Sequence, residues 1–332
     1  MPSNSIAIVS EDFSREKGGI QMWSSLISDG IEELNLADVE RISYENNRFF
    51  FNKLLRNTSV LIMNVRVLKY IFPVFFLISY FKKITVIVHG DDFLYKSYLE
   101  KIFLWFVLKL PRVNIYSNSE YTKNRLLKSW NIKSKVCLPF ITSRRGHCKI
   151  NVNKGGEIKF LTIGRLASRK NHKKIIEALH LLDDEIDDYV YIIIGDGPEY
   201  IELTKLVENL EMSSKVKFKG RVSEERKSCL LAEADYLLLP SIELKEEASV
   251  EGFGMVFIEA NSHGIPVLGG ESGGMPEAII RGVTGEICDG SVDGIMHGIK
   301  SLLNNNYAKD ELIRYAEGFD YKRKKEFYLE LL

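Results

Sequence analysis

The chain has 332 residues, 45% of them hydrophobic and 27% charged, which is room for two domains and the composition of a soluble globular protein. Its formal net charge is zero, yet residues 1–150 carry 22 Lys and Arg against 13 Asp and Glu, while residues 151–332 carry 23 against 32. This asymmetry points to a basic first domain facing something anionic, or to two domains that attract each other; no nucleic-acid partner is expected.

The opening Met-Pro-Ser-Asn-Ser lacks the charged and apolar layout of a signal peptide, so a cytoplasmic location is expected. Strands are predicted at 5–9, 60–64, 84–89, 114–116 and 136–138, with helical patterns at 19–34, near 67–81, at 93–110 and at 120–130. The longest apolar run, 70–81, has twelve residues and contains Pro73; a spanning helix needs roughly 20. The polar, basic stretch 143–156 reads as a linker. Beyond it the alternation is cleaner. Strands are predicted at 160–163, 190–194, 216–218, 235–239 and 266–268. Helices are predicted at 171–182, 199–210, 224–233 and 254–263, with one more after Pro276 and a helical tail from Val292. The four cysteines, Cys137, Cys148, Cys229 and Cys288, show no CxxC spacing, which implies neither a metal site nor a disulfide framework. The pattern predicts an α/β protein: two doubly wound parallel-sheet domains in tandem, with ligand at the carboxyl ends of the strands.

The most informative stretch is Glu251-Gly-Phe-Gly-Met-Val-Phe-Ile-Glu259. Two carboxylates stand eight residues apart around a glycine-rich helix start. Gly252 and Gly254 let backbone N–H groups approach a ligand where the helix dipole favours oxygen-rich or anionic groups. The layout suits a polyhydroxylated ligand, with one carboxylate for each cluster of hydroxyls. An acidic, solvated helix start is the bland alternative.

A series of short motifs runs through roughly 158–290: Gly164-Arg-Leu166 with Lys170, Gly195-Asp-Gly-Pro198, Lys217-Phe-Lys-Gly220, Leu239-Pro-Ser241, Glu251-Gly-Phe-Gly254 with Glu259-Ala260, Gly264-Ile-Pro-Val267, Gly273-Gly274 with Pro276-Glu277, and Gly282-Val-Thr-Gly285. Each is weak alone. In this order and spacing the second half resembles the retaining glycosyltransferases of family four, which have the GT-B fold, two doubly wound Rossmann-like domains facing across a cleft. The first half matches only in outline, through Gly18-Gly19, His89 and Ser117-Asn-Ser-Glu120. The resemblance implies an acceptor-binding domain at 1–150 and a sugar-nucleotide-binding domain at 151–310. A C-terminal helix at 311–332 is expected to return to the first domain.

The resemblance also assigns roles. Arg165 and Lys170 hold the donor diphosphate and neutralise charge as the glycosidic bond breaks; otherwise they belong to a solvated basic helix start with Arg169, Lys173 and Lys174. Glu259 chelates the ribose hydroxyls with two acceptor oxygens. Glu251, with the backbone of Gly252, Phe253 and Gly254, holds hydroxyls of the transferred sugar, and Val222 meets the base. Gly18 and Gly19 present bare backbone N–H groups to the diphosphate, and His89 stands near the reacting sugar. Arg165, Lys170, Glu251 and His89 are thus the expected catalytic group. Asp91 and Asp92 stay open between acceptor contacts and a helix N-cap. Asn171 stands where the family frequently has glycine, and the acidic insert 242–250 is longer than the family minimum.

The implied activity is transfer of a hexose-type sugar from a nucleoside-diphosphate sugar, UDP- or GDP-linked, to a glycan or lipid-linked acceptor. The anomeric configuration is retained, and the setting is surface polysaccharide or lipopolysaccharide synthesis. The nucleotide sugar is a substrate, so no cofactor is expected, and no DxD-like motif calls for a metal. A sugar-nucleotide epimerase or hydrolase on the same architecture, or a non-catalytic binding partner, are the alternatives. Two aromatic-rich stretches with basic flanks, 68–81 and 98–110, resemble monotopic surface helices, or else are core helices. On the first reading Phe75, Phe76, Trp105 and Phe106 face anionic lipid on the inner face of the cell membrane.

Overall fold

The computed structural model describes residues 4–15, 18–44, 50–90, 98–142, 156–186, 188–244 and 249–332. Asp91, Asp92, Cys148, the linker 143–155 and positions 245–248 of the insert lie outside the described residues. The chain divides into two compact units, Met1–Thr142 with Phe319–Leu332, and Ser143–Gly318.

The first unit runs β1 (Ser5–Ser10), α1 (Gly19–Glu33), β2 (Asp38–Ser43), α2 (Phe50–Arg56), β3 (Ser59–Ile62), α3 (Leu68–Ser79), β4 (Lys83–Val88), α4 (Tyr98–Leu108), β5 (Val113–Ser117), α5 (Glu120–Trp130) and β6 (Lys135–Val136). The strands form one parallel sheet in the order β2-β1-β3-β4-β5-β6. Strands β1, β3 and β4 are nearly continuous apolar runs, as expected of strands covered on both faces, and Ile6, Ile8, Leu61, Val86 and Val88 are fully buried. Helix α5 is delimited locally: Ser119 Oγ accepts from the Thr122 amide at 3.1 Å, and Asn131 closes it in the left-handed region at φ 51°. Two elements escape the sequence reading, β2 and α2. Strand β2, Asp-Val-Glu-Arg-Ile-Ser, is an edge strand with only Ile42 buried, so it lacks the apolar run that marks its neighbours.

The second unit runs β7 (Ile158–Ile163), α6 (His172–Leu181), β8 (Tyr189–Ile194), α7 (Tyr200–Asn209), β9 (Val216–Gly220), α8 (Glu224–Glu233), β10 (Tyr236–Leu239), α9 (Met255–Ser262), β11 (Val267–Gly270), β12 (Gly285–Cys288), α10 (Val292–Asn304) and α11 (Lys309–Glu317). Its parallel sheet has the order β12-β11-β10-β7-β8-β9. The helix expected after Pro276 is a single 3-10 turn, Met275–Ala278. The chain then bends through Gly282 at φ 74°, with the Thr284 amide bonded to Ile280 O at 2.8 Å, and enters β12. The short apolar segment after Pro276 is spent on a turn and a strand.

The chain ends in the first unit with α12 (Lys325–Leu331). Tyr328 donates to Tyr321 O at 2.7 Å, and the Tyr321 hydroxyl donates to Glu33 of α1 at 2.8 Å. Cys137 and Cys288 are buried free thiols. Cys229 is disulfide-bonded, which corrects the expectation that the cysteines form no disulfide framework.

Among the described residues no helix is long and apolar enough to cross a membrane. Helices α3 and α4 are each two-faced. Phe75 and Leu104 are buried in the core, whereas Phe76, Leu77, Tyr80, Phe81, Ile102, Trp105 and Phe106 are exposed. The expectation that Phe75 faces outward is therefore corrected: it lies on the core side of α3, one position from Phe76, which stacks on Phe106 at a centroid distance of 6.4 Å.

Candidate active site

In the second unit the chain leaves β7 for β8 and β9 on one side, then returns to place β10 on the other side of β7. The carboxyl ends of β7 and β10 thus form the topological switch point, where open parallel sheets leave a crevice for ligands. The segment after β7 carries Arg165 and Lys170; the segment after β10 carries Ser241 and Glu251.

The β7 end is held by backbone bonding to the β8 turn. Gly164 N donates to Ile194 O at 2.9 Å and Leu166 N to Asp196 O at 2.8 Å. Gly195, at φ 137°, makes this approach possible, because a Cβ there would stand 1.9 Å from Gly164 O. The Arg165 backbone is pinned between these bonds. Its side chain is exposed and has no ion pair among the described residues. A 3-10 turn, Ser168–Lys170, follows, and Asn171 takes a left-handed conformation at φ 63°. Asparagine tolerates that region better than most side chains. Its amide nitrogen also donates to Pro240 O at 3.1 Å and Gly290 O at 2.8 Å, bonds that glycine could not make.

This turn delivers Lys170 and Arg169 to one atom. Lys170 Nζ lies 2.5 Å and Arg169 Nη1 2.6 Å from Glu251 Oε2. Lys170 is buried at 8% exposure. Burial alone would raise the Glu251 carboxyl, but the charges of Lys170 and Arg169, and then their hydrogen bonds, overcome it and bring the carboxyl down to about 2. Burial pulls the Lys170 ammonium down while Glu251 pulls it back. The pair stays ionised, and Lys170 spends only one of its three N–H donors on Glu251. Arg169 was read as part of a solvated helix start; adjacency to Lys170 was its only signal in the sequence. His172 Nε2 bonds Arg165 O at 3.1 Å, and burial first, with Lys170 nearby, holds this imidazole near 4, hence neutral.

Gly252, Phe253 and Gly254 connect Glu251 to α9. Gly254 takes φ 93°, and α9 has no side-chain N-cap, so its first-turn N–H groups are left to other partners. The Phe253 side chain is buried; only its backbone is placed for a ligand. Glu259, one turn into α9, has its Oε2 at 3.1 Å from Lys227 Nζ on α8. Lys227 is a second residue that the sequence reading missed, because its partner is distant in the chain. Val222 is half-buried in the turn before α8. Glu251, Lys170, Arg169 and the Gly252–Gly254 loop are thus one connected group, with Glu259 further along the same helix.

The remaining candidates belong to the first unit. Gly18 is the N-cap of α1 in extended backbone, with no side-chain cap, and both Gly18 and Gly19 are exposed. His89 ends β4, 6% exposed, with Nε2 at 2.7 Å from Met63 O and its ring edge-on to Trp23. Burial is the main cause that holds it down at about 4. Among the described residues no group of three or more His, Cys, Asp or Glu side chains could hold a metal ion.

Residues 144–319 match the family model described as glycosyl transferases group 1. A GDP-mannose-dependent alpha-(1-6)-phosphatidylinositol monomannoside mannosyltransferase of Mycobacterium tuberculosis is 34% identical over 142 residues, 42% of this chain and 37% of that one. An N-acetyl-alpha-D-glucosaminyl L-malate synthase of Bacillus anthracis is 34% identical over 137 residues, 41% and 33% of the two chains. The chain therefore matches less than half the length of these curated relatives. Among solved structures, Anabaena Alr3699/HepE in complex with UDP-glucose superposes with a TM-score of 0.76 at 17% identity, over 98% of each chain; that likeness shows the GT-B fold. With more than half of its residues matched by the family model, the chain belongs to the group 1 glycosyl transferases.

Proposed function

We propose that this protein moves a hexose-type sugar from a nucleoside-diphosphate sugar to a glycan or lipid-linked acceptor, with retained anomeric configuration, in surface polysaccharide synthesis. The observation that carries the reading is the Lys170–Glu251–Arg169 group, buried at Lys170 and half-buried at the other two, at the switch point of the second sheet. A carboxylate locked in its ionised form accepts sugar hydroxyls at neutral pH, while the unspent N–H groups of Lys170, with the exposed Arg165, take the diphosphate. The acceptor hydroxyl attacks on the face that the diphosphate leaves, and the departing phosphate oxygen takes the proton. The protein supplies positioning and charge stabilisation. His89, neutral at pH 7 with Nε2 on Met63 O, does not serve as a cationic acid. The fixed cations do the charge work of a metal, so the transfer is read as metal-independent.

The exposed apolar face of α3 and α4, rimmed by Lys101, Lys109 and Arg112, supports peripheral binding to anionic membrane and hence a lipid-linked acceptor. The relatives named for GDP-mannose and the neighbour holding UDP-glucose make these the first donors to test. A thermal-shift panel of UDP-glucose, GDP-mannose and ADP-glucose finds the donor, since a ligand at a hundredfold excess over Kd stabilises the native state by about 2.7 kcal/mol. NMR of the product made in EDTA then reads the anomeric configuration. An inverted product, or no turnover until metal is restored, contradicts the reading. Vesicle sedimentation tests the surface: Phe76, Trp105 and Phe106 changed together to Ser should leave the fold intact and abolish binding to anionic vesicles. Parent protein that does not bind them removes the membrane.

A further inference from the structure

Lys227 stands where a helix ordinarily buries an apolar residue. Leu230 and Leu231, three and four positions on, are buried at 3% and 1% exposure, so Lys227 shares the core-facing stripe of α8. Its side chain is only 15% exposed. An ammonium on that stripe carries a desolvation cost that only close countercharges offset. Two carboxylates do so: Glu224 Oε2 at 2.7 Å and Glu259 Oε2 at 3.1 Å. Glu224 sits one turn away on the same helix. Glu259 comes from α9 and is the side chain read above as the ribose ligand. Its Oε1 has no hydrogen bond among the described residues. Lys227 thus takes one oxygen of Glu259 and leaves the other open.

We propose that Lys227 is a positioning residue for donor recognition, which locks the Glu259 carboxylate so that its other oxygen meets the nucleotide's ribose diol. A ribose hydroxyl both donates and accepts. The open Oε1 accepts from it. The ion pair ties Glu259 Oε2 to α8 and so fixes the direction of the carboxylate. In support, the charges of Glu259 and Glu224 outweigh burial and raise the Lys227 ammonium above its ordinary value, so it stays charged throughout the working range. The inference rests on the reading of Glu259 as the ribose ligand, and the experiment separates the two.

Calorimetry gives Kd for UDP and GDP and for their 2′-deoxy counterparts, with parent protein, Lys227→Met, Glu259→Gln and the double variant. The parent should prefer ribose to deoxyribose by about tenfold or more, the range for a hydrogen bond to a charged group. Lys227→Met should lose most of that preference, and the double variant should lose no more than Glu259→Gln alone. If Lys227→Met keeps the parent ratio while Glu259→Gln loses it, Lys227 is structural only and this inference falls while the ribose reading stands. If Glu259→Gln also keeps the ratio, or the parent binds neither nucleotide, both fall. Should Lys227→Met fail to fold, Lys227→Gln keeps hydrogen bonds to both carboxylates without the charge. A severalfold drop in its ratio supports the inference, and an unchanged ratio overturns it.

Discussion

The carboxyl ends of the two sheets hold their charges differently. In the second unit the switch point carries buried and half-buried charges in pairs: Lys170 and Arg169 on Glu251, and Lys227 on Glu259. In the first unit the turn after β1 carries Arg15, whose ion pair with Asp29 is more exposed. The turn after β1 leads to Gly18 and Gly19, Ser24 bonds Ser10 at 2.9 Å beneath it, and β4 ends at an uncharged His89 against Trp23. Overall charge runs the other way, since the first half is the basic one. Net charge therefore does not locate this site; what matters is where cations are desolvated and fixed. On the proposed reading these fixed charges of the second unit hold the charged, hydroxyl-rich donor.

The comparison is most easily broken at Lys170. Lys170→Met should cut turnover about 10²–10³-fold, the range for loss of one charge-stabilising donor, and the protein should still fold because Arg169 continues to neutralise Glu251. Steady-state kinetics on the folded variant checks this. A near-normal rate would mean that the paired charges of the second unit are structural only.

What the sequence made legible follows the same division. Most of the second unit's strands could be read because they are apolar runs set between glycine turns, and Lys170, Glu251 and Glu259 were singled out by the family resemblance of the motifs around them. Arg169 and Lys227 were not, since each owes its role to a carboxylate 82 or 32 positions away that only folding brings near. In the first unit β2 hid because an edge strand needs few apolar residues, and Phe75 was turned the wrong way because an almost wholly apolar helix has little periodicity with which to assign its faces. The segment after Pro276 misled for a related reason: a short apolar run serves a turn and a strand as well as a helix.

Each unit also contains one buried neutral histidine near its strand ends, which offers a pH comparison. His89 and His172 are both held near 4 from an ordinary 6.5, burial first among the causes. For a histidine with a lowered folded value, the unfolded chain binds more protons between the two values. The stability contributed is complete above about 6.5 and is lost as pH falls through 4. Urea midpoints should therefore drop between pH 6.5 and 4, and His89→Asn and His172→Asn should each flatten part of that drop. Glu251, held at about 2 against an ordinary 4.5, adds a loss only below about 4.5. Variants whose pH profiles match the parent would show that these imidazoles are not buried neutral.

A smaller effect is expected at Asn171, which holds the turn after Lys170 by conformation and by two hydrogen bonds. Asn171→Ala should cost about 2 kcal/mol, from left-handed strain and lost bonds to Pro240 and Gly290, and Asn171→Gly about half of that. Denaturant titration ranks them. Equal costs would mean that conformation is not what asparagine supplies there.

The central claim, that the charged switch point of the second unit is the donor site with divided labour between its carboxylates, is tested most directly by calorimetry of nucleoside diphosphate binding to Glu259→Ala and Glu251→Ala. The account expects Glu259→Ala to lose affinity for UDP or GDP, whichever the parent binds, because contacts to ribose are gone. Glu251→Ala should bind that nucleotide about as the parent does while failing to transfer sugar. Equal losses in the two variants, or parent-like binding and transfer in both, would contradict it.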